Sequence, residues 1–172
     1  MHGDVNIGKV ENLRLYRWND VGGTFFVTKC IEPKTSVLLN DVAQRISDGF
    51  KYYAQNGDIK LAAFVVMPDH WHALFGLSLG DHLPNRMRTM SNWFSRCSSD
   101  ALEKSECSWQ DGYYDVRIRS TKQFLYIINY IEQNPTSREL VVQKEDWCWS
   151  SANEEYIQCL TRPWPWPFEQ DT

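Results

Sequence analysis

The chain lacks three features that would assign its class at once: a long apolar run, a paired-cysteine motif and a P-loop. No apolar stretch approaches the roughly 20 residues that a membrane-spanning helix needs, so no membrane segment is expected. The five cysteines are odd in number and include no Cys-x-x-Cys pair, which argues against a disulfide framework and a zinc ribbon. Without a P-loop signature, the chain is not expected to use a nucleoside triphosphate. The amino terminus, Met1–Asp4, lacks the basic and then apolar pattern of a secretion signal, so we expect a cytoplasmic protein with reduced thiols.

The net charge of −4 gives no global sign of nucleic-acid binding, but the basic residues are unevenly distributed. Residues 83–122 carry seven Lys and Arg against five Asp and Glu, whereas residues 123–172 carry three against eight. In the first of these segments the cations are interleaved with aromatic side chains, a composition typical of surfaces that bind single strands. So small an excess is also typical of an ordinary solvated face. The candidate DNA contacts are Arg86, Arg88, Arg117, Arg119 and Lys122.

Hydrophobic periodicity and turn residues predict seven elements in the order β-α-β-β-α-β-α. The predicted ranges are strand 24–30, helix 37–55, strand 60–67, strand 70–77, helix 84–101, extended segment or loop 108–118 and helix 120–135. Pro68-Asp69 predicts a tight hairpin between the second and third strands, and Pro135 predicts the end of the last helix. This order is typical of an α+β fold. A ferredoxin-like sandwich, with an antiparallel sheet and helices on one face, fits it most simply.

We expect one domain of residues 18–156, preceded by a leader of residues 1–17 and followed by a Pro/Trp-rich tail of residues 157–172. The tail alternates proline with tryptophan from Pro163 to Phe168, and such a run can extend neither a helix nor a central strand. The tail is therefore expected to be extended. It either packs against the domain or covers a nucleic-acid groove.

The most informative segment is an apolar run that contains two histidines two residues apart. Side chains at i and i+2 of a strand point to the same face, so His70 and His72 can converge while Trp71 packs on the opposite face. Two neutral imidazoles directed at one point are a good start for a metal site. The alternative is a pair of histidines satisfied by hydrogen bonds on a half-buried sheet. Asp69 either orients one of these rings or only forms the turn.

Tyr126, Tyr130 and Asn134 are spaced four residues apart in the last predicted helix. Residues at i and i+4 share a helical face, so two phenols and one carboxamide form a stripe near the end of this helix. The carbonyl oxygen of Asn134 is a suitable ligand for Mg²⁺ or Mn²⁺. The alternative is an amphipathic helix with aromatic core residues and an asparagine cap.

His70-Trp71-His72, preceded by Val66-Met67-Pro68, resembles the HUH motif, in which two histidines flank a hydrophobic residue. The segment from Tyr130 to Pro135 resembles the tyrosine segment of the single-tyrosine transposases, and especially of their REP-associated branch. In that branch an asparagine follows the catalytic tyrosine by four residues and directly precedes a proline. The segments 24–28 and 146–151 also agree with this branch, in the same order along the chain.

The resemblance implies that Tyr130 is the nucleophile and that His70, His72 and Asn134 hold a divalent metal, Mg²⁺ or Mn²⁺. A tyrosine phenol ordinarily has a pKa near 10 and is a weak nucleophile at neutral pH, so a metal ion on the phosphate would assist its attack. Attack on single-stranded DNA at a hairpin of the REP type would yield a 5′-phosphotyrosine and a free 3′-hydroxyl. The 3′-hydroxyl of a second strand can reverse the step and rejoin the DNA.

The sequence leaves the nucleophile, the function and the oligomeric state open. Tyr126 is the alternative nucleophile, although only Tyr130 precedes Asn134 by four residues. The chain has Thr136-Ser137-Arg138-Glu139 where the branch has a basic pair, which weakens one candidate phosphate contact. The competing functions are a relative that binds a DNA hairpin without cleaving it, and a metallohydrolase with a water nucleophile. A monomer suffices if the tyrosine helix packs on its own histidine strand, and a homodimer is required if it crosses to a second copy.

Overall fold

The architecture comes from a computed structural model, which describes residues 21–32, 40–97, 100, 108–168 and 171. Within these residues, strands run over Val21–Cys30 (β1), Lys60–Val66 (β2), His70–His82 (β3) and Tyr114–Arg117 (β4). Helices run over Asn40–Gln55 (α1), Leu83–Cys97 (α2) and Thr121–Ser137 (α3), and 3-10 helices follow at Lys144–Asp146 and Glu154–Cys159. None of the helices in the described ranges is long and apolar enough to cross a bilayer. The predicted leader 1–17, and the predicted helical residues 37–39, 98–99 and 101, lie outside the described residues.

The strands form one antiparallel sheet in the order β2-β3-β1-β4. With α1 and α2 as the crossovers, this is the split β-α-β arrangement of a ferredoxin-like sandwich, so the predicted α+β fold is confirmed. The predicted hairpin is confirmed as well. Val66 pairs with Trp71, and the Met67 N–H donates to the His70 carbonyl at 2.8 Å.

β1 and β3 both extend further than predicted because two glycines of β1 accommodate a bulge in the pairing of these strands. The register shifts between Val21 and Gly23, where Gly22 has a φ of 70° and Gly23 a φ of 115°. These left-handed conformations favour glycine, and a bulge of this kind lets pairing resume beyond it. Val21 then pairs with His82, so β3 continues past its predicted end at residue 77.

The sheet is covered on both faces, which corrects the prediction that the helices lie on one face. α1 and α2 pack on the first face, through a core that includes Phe50 and Phe94. α3 packs on the second face, through Phe124 and Ile131. The periodicity that identifies α3 as a helix contains no information about which face of a sheet it covers.

Side chains alternate along β3, so the residues that pack beneath α1 and α2 lie on the opposite face of the sheet from its two histidines. Trp71 and Phe75 point into the core beneath α1 and α2, whereas Leu74 points to the α3 face. His70 and His72 share the face of Leu74 because they differ from it by even numbers of residues. The histidines therefore lie on a central strand of the sheet, directly beneath the helix that carries Tyr130.

α3 begins at its predicted cap and ends later than predicted. The Ser120 hydroxyl accepts a hydrogen bond from the Gln123 N–H at 3.2 Å, which is a normal N-cap contact. The helix then passes through Pro135 to Ser137, so the prediction that Pro135 stops it is wrong. Proline lacks the N–H that would bond to the carbonyl four residues earlier, and its ring crowds that carbonyl. It does not prevent the two residues that follow it from completing the last turn.

The end of α3 is a Schellman motif. The Glu139 N–H donates to the Thr136 carbonyl and the Leu140 N–H donates to the Pro135 carbonyl, each at 3.0 Å. Glu139 has a φ of 58°, in the left-handed region that this motif requires. The motif fixes the direction of the chain at Arg138, the C-cap residue, which becomes important at the site.

The C-terminal part of the chain closes the open edge of β2. Its bonds to β2 run from the Val66 N–H to the Trp149 carbonyl (2.9 Å), from the Ser151 N–H to the Phe64 carbonyl (2.9 Å) and from the Thr161 N–H to the Leu61 carbonyl (2.7 Å). An uncovered edge strand presents unpaired N–H and C=O groups to other chains. Residues 149–161 therefore act as a substitute for a fifth strand.

The Pro/Trp-rich tail packs against the domain, which was the first of its two predicted arrangements. Trp164 and Phe168 contact the Phe124 ring of α3, with ring centroids 4.9 and 5.3 Å away. Trp166 lies over Gly76 of β3, where a Cβ atom would overlap its ring. The tail thus covers part of the α3 face of the sheet, while the predicted domain boundaries at residues 17 and 156 stay predictions.

We expect Gly76→Ala to destabilise the protein by about 1 kcal/mol, because the added methyl overpacks the space under Trp166. In a Trp166→Ala background the same change should cost less, since Trp164 is then the only one of the two rings near the added methyl and alanine is favoured over glycine in a strand interior. Urea denaturation of the four variants measures this coupling. An equal loss of stability in both backgrounds would show that Trp166 does not lie on Gly76.

Candidate active site

His70 and His72 lie side by side on the α3 face of β3, and both are buried. Their Nε2 atoms are 3.0 Å apart, and each Nδ1 atom has a separate contact. The Asp69 carboxylate accepts a hydrogen bond from His70 Nδ1 at 2.6 Å, and Thr28 Oγ1 lies 2.8 Å from His72 Nδ1. Contacts of this kind fix the orientation of an imidazole and leave its Nε2 atom for another role.

Burial favours the neutral form of both imidazoles. It lowers the pKa of His72 to about 3, and the nearby charges of His70 and Arg138 act in the same direction. Burial also lowers the pKa of His70, although the hydrogen bond to Asp69 opposes this. Neutral imidazole is the form that binds metals. At neutral pH both histidines are therefore in the state that a metal site requires.

The two Nε2 atoms suit a divalent ion. Adjacent ligands of an octahedral ion bound at about 2.1 Å lie about 3 Å apart, which agrees with the 3.0 Å between these atoms. When both Nδ1 atoms carry the protons, two lone pairs face each other, and a cation between them would remove the repulsion. Among the residues that the structure describes, no group of three or more His, Cys, Asp and Glu side chains could hold a metal. Further ligands would therefore be amide, water or phosphate oxygens.

Tyr130 approaches the histidines from α3. Its Oη atom is 3.5 Å from the Nε2 atom of His72, its ring meets Phe26 edge-on, and the residue is 43% exposed. One chain therefore brings the phenol and the two imidazoles together, and solvent reaches the phenol. Tyr126 lies one turn earlier, is 68% exposed, and makes no contact with the histidine pair in the described part of the chain.

Asn134 is buried one turn beyond Tyr130, and both line a cleft of about 370 Å³ along α3. The cleft is lined by Tyr126, Asn129, Tyr130, Gln133, Asn134, Ser137 and Arg138. The predicted stripe of two phenols and one carboxamide therefore exists as a continuous surface. The role of Asn134 as a third metal ligand stays a prediction.

Arg138 is a site residue that the sequence patterns did not single out. Its Nη1 atom donates to both carboxylate oxygens of Asp69, at 2.9 and 3.0 Å. Burial opposes ionisation of Asp69, but the hydrogen bonds from Arg138 and His70 outweigh it and lower the pKa of this carboxyl. Asp69 thus orients His70 as well as forming the turn. Arg138 follows Asn134 by four residues, so extending the stripe by one turn would have found it.

Three of the five basic candidates lie away from the histidines. Arg117 pairs in register with Phe25, whose side chain belongs to the core of the first face, and its guanidinium lies beside Gly23 in a pocket that Trp166 and Phe168 of the tail also line. Arg86 on α2 forms an ion pair with Asp58 at 2.7 Å, which favours a structural role. Arg88 is exposed on the same helix, also on the first face.

Arg119 and Lys122 are the two basic candidates next to the site helix. Both are exposed at the start of α3, and the Arg119 N–H donates to the side chain of Gln123 at 3.0 Å. They are therefore better placed than Arg86, Arg88 or Arg117 for a strand that reaches Tyr130. Their contact with DNA stays a prediction.

Residues 25–134 match the family model described as transposase IS200 like. The range begins in β1 and ends at Asn134, so it includes the histidine pair and Tyr130. Because the match covers more than half of the chain, the chain belongs to the IS200-like transposase family.

Within this family the chain is similar to the REP-associated tyrosine transposase of Escherichia coli strain K12. The two share 27% identity over 141 residues, which is 81% of this chain and 82% of the relative. A solved structure of a REP-associated tyrosine transposase bound to a REP hairpin covers 86% of this chain, and 87% of that chain is matched, with a TM-score of 0.66 and 26% identity. A structure from Deinococcus radiodurans R1 described as a transposase shares the fold at 21% identity and a TM-score of 0.50, covering 66% and 92%. The predicted resemblance to the REP-associated branch is confirmed.

Proposed function

We propose that this chain is a metal-dependent nuclease and strand transferase for single-stranded DNA at hairpins of the REP type. The observation that carries the proposal is the 3.5 Å approach of Tyr130 Oη to His72 Nε2, beside a second buried imidazole. A packed sheet requires neither two facing Nε2 atoms nor a partly exposed phenol above them. Hydrogen-bonded core histidines account for the burial and for the facing Nε2 atoms, but not for the partly exposed phenol above them.

In the proposed reaction the phenolic oxygen of Tyr130 attacks a phosphorus of the DNA strand. A bond forms between this oxygen and the phosphorus, which gives a 5′-phosphotyrosine, and the bond from the phosphorus to the 3′ oxygen breaks. The phenol releases one proton and the leaving 3′ oxygen takes up one. Attack by a 3′-hydroxyl on the phosphotyrosine reverses these changes, so rejoining needs no nucleoside triphosphate.

His70 and His72 would hold the divalent ion, Mg²⁺ or Mn²⁺, with Asn134 as the proposed third ligand. A bound ion of this kind stabilises the negative charge that develops on the phosphate oxygens. Asp69 and Thr28 hold the two rings in place through their Nδ1 contacts. Removing such orienting residues typically lowers metal affinity or activity by about 10- to 100-fold.

The proposed DNA target rests on the relative whose structure contains a REP hairpin. Cations at both ends of α3 support it: Arg119 and Lys122 are exposed at its start, and Arg138 is exposed at its end. We propose that these side chains contact phosphates of the strand that Tyr130 attacks. One chain suffices for the proposed cleavage, since its own Tyr130 reaches its own His72. A cytoplasmic location stays a prediction.

The test is a covalent adduct of defined polarity. A DNA hairpin with single-stranded flanks is labelled at its 3′ end, incubated with the protein and Mn²⁺, and resolved under denaturing conditions. The label should migrate with the protein, because the proposed link joins Tyr130 to the 5′ phosphate of the downstream fragment. The same DNA labelled at its 5′ end should give a free, shortened fragment. EDTA should abolish both products.

Each other outcome either supports a competing function or contradicts one part of the proposed reaction. Binding of the hairpin with neither adduct nor cleavage would support a relative that only binds DNA. Cleavage without an adduct would support a metallohydrolase that uses water. A 5′ label on the protein would contradict the polarity of the proposed reaction, and products that resist EDTA would contradict its metal dependence.

A further inference from the structure

The cleft along α3 extends beyond the atoms that the proposed reaction uses. Tyr130 and Asn134 lie in its middle, Arg138 lies at one end, and Tyr126 lies at the other. Because residues four apart share a helical face, Tyr126 continues the surface of Tyr130 away from Arg138. The cleft is therefore longer than a single phosphate group requires.

Among the residues that the structure describes, no hydrogen bond or ring contact accounts for the position of Tyr126. It is more exposed than Tyr130, at 68% against 43%, and it takes no part in the contacts of the histidine pair in the described residues. A large aromatic ring held in solvent by a helix is a preformed stacking surface. The exposed ring next to the nucleophile is the feature that requires explanation.

The composition of the cleft matches nucleic acid rather than an apolar peptide. Its lining contains two phenols, three carboxamides, a hydroxyl and a guanidinium, with no carboxylate and no aliphatic side chain. Aromatic rings stack on bases, carboxamides form hydrogen bonds with base edges, and a cation neutralises phosphate. The occupant that fits this lining is the single strand whose phosphate lies at Tyr130.

The spacing along the helix indicates how far a base at Tyr126 lies from the nucleotide at Tyr130. Four residues of α-helix rise about 6 Å, which exceeds the 3.4 Å between successive nucleotides of a stacked strand. A base that reaches Tyr126 is therefore separated from its neighbour at Tyr130. Its face is then free to stack on the phenol ring.

We propose that Tyr126 is a base-stacking residue that holds the nucleobase next to the scissile phosphate, so that α3 binds the single-stranded flank as well as supplying the nucleophile. This inference rests on the proposed function for the identity of the strand. It assigns to Tyr126 a role in binding DNA and none in forming the covalent bond.

The test measures binding in a Tyr130→Phe background, so that no cleavage intervenes. Fluorescence anisotropy compares a hairpin that carries a single-stranded flank with the same hairpin lacking the flank. Tyr126→Ala should weaken binding of the flanked hairpin by about 5- to 150-fold, since base stacking on an aromatic residue contributes about 1–3 kcal/mol. Binding of the hairpin without the flank should not change, and Tyr126→Phe should restore the affinity because it keeps the ring.

Leu125→Ala is the matched control. Leu125 is also exposed on α3, at 58%, but it does not line the cleft. Its removal should leave the affinity for both DNAs unchanged. A similar loss with Leu125→Ala, an equal loss for the two DNAs with Tyr126→Ala, or a loss that Tyr126→Phe does not restore would each overturn the inference.

A second readout locates the base. 2-Aminopurine is placed at the nucleotide on either side of the scissile phosphate, and its fluorescence should be quenched by stacking at one position only. Tyr126→Ala should relieve this quenching, and quenching that survives the substitution would contradict the inference. If the wild-type protein forms no adduct but these effects of Tyr126 appear, the proposed function fails while the binding role of Tyr126 stands.

Discussion

Replacing Tyr130 with phenylalanine is expected to abolish the covalent adduct and to lower DNA cleavage by about a thousandfold or more. The change removes one oxygen atom, which is the atom that attacks phosphorus in the proposed reaction. The ring remains, so its edge-on contact with Phe26 and the packing of α3 should be preserved. The adduct assay with 3′-labelled DNA measures the loss, and urea denaturation should show unchanged stability.

Tyr126→Phe is the matched control for Tyr130→Phe in the adduct assay. It removes the same atom one turn away, on the same helical face, and it should leave adduct formation close to the wild-type level. Adducts that persist in Tyr130→Phe and disappear in Tyr126→Phe would assign the nucleophile to Tyr126. Cleavage that survives in Tyr130→Phe without an adduct would point to water as the nucleophile.

His72→Phe is expected to lower metal-dependent cleavage by about a hundredfold or more, because a bound ion contributes several kcal/mol of charge stabilisation. Phenylalanine keeps a ring between Phe26 and Tyr130 but offers no Nε2 atom. The variant should also fail to respond to Mn²⁺ at concentrations that activate the wild-type protein. Full Mn²⁺-dependent cleavage by the variant would exclude His72 as a ligand.

The same variant should resist acid better than the wild-type protein when a chelator is present. The unfolded chain protonates His72 below its ordinary pKa of 6.5, whereas burial keeps the folded protein from doing so until about 3. Stability is therefore fully present above pH 6.5 and is lost as pH falls toward 3. At pH 5 the loss from His72 is about 2 kcal/mol.

Urea denaturation at pH 7 and pH 5 tests the direction of this pH dependence of stability. The free energy of unfolding of the wild-type protein should fall between these values by about 2 kcal/mol more than that of His72→Phe. His70 and Asp69 remain in both proteins, so the difference between the two slopes reports the removal of His72 together with its contact to His70. Identical slopes would show that His72 is not held neutral by burial.

The local features of the site could be predicted because they depend on periods of the backbone. Alternation along a strand places His70 and His72 on one face and Trp71 on the other, whatever the rest of the fold does. The four-residue spacing similarly places Tyr130 and Asn134 on one stripe of α3. Both predictions concern neighbours in sequence, and the structure has both arrangements.

The features that could not be predicted depend on tertiary pairing. The ion pair between Asp69 and Arg138 joins residues 69 positions apart, and no local pattern links them. The side of the sheet that Arg117 faces depends on its register with Phe25, which a shift of one residue would reverse. Arg86 has the charge of a DNA contact but pairs with Asp58 across two elements. The composition predicts that these cations form one DNA-binding surface, whereas the tertiary structure places them on different elements.

The closure of β2 by residues 149–161 also makes the last part of the chain a condition for a protected sheet. The histidine pair and Tyr130 lie in β3 and α3, so a fragment that ends before residue 149 would still contain them. Its β2 strand would present the Val66 N–H and the Leu61 and Phe64 carbonyls to other chains. Removing residues from 149 onward is therefore expected to cause association through this edge, although every residue of the reactive centre is kept.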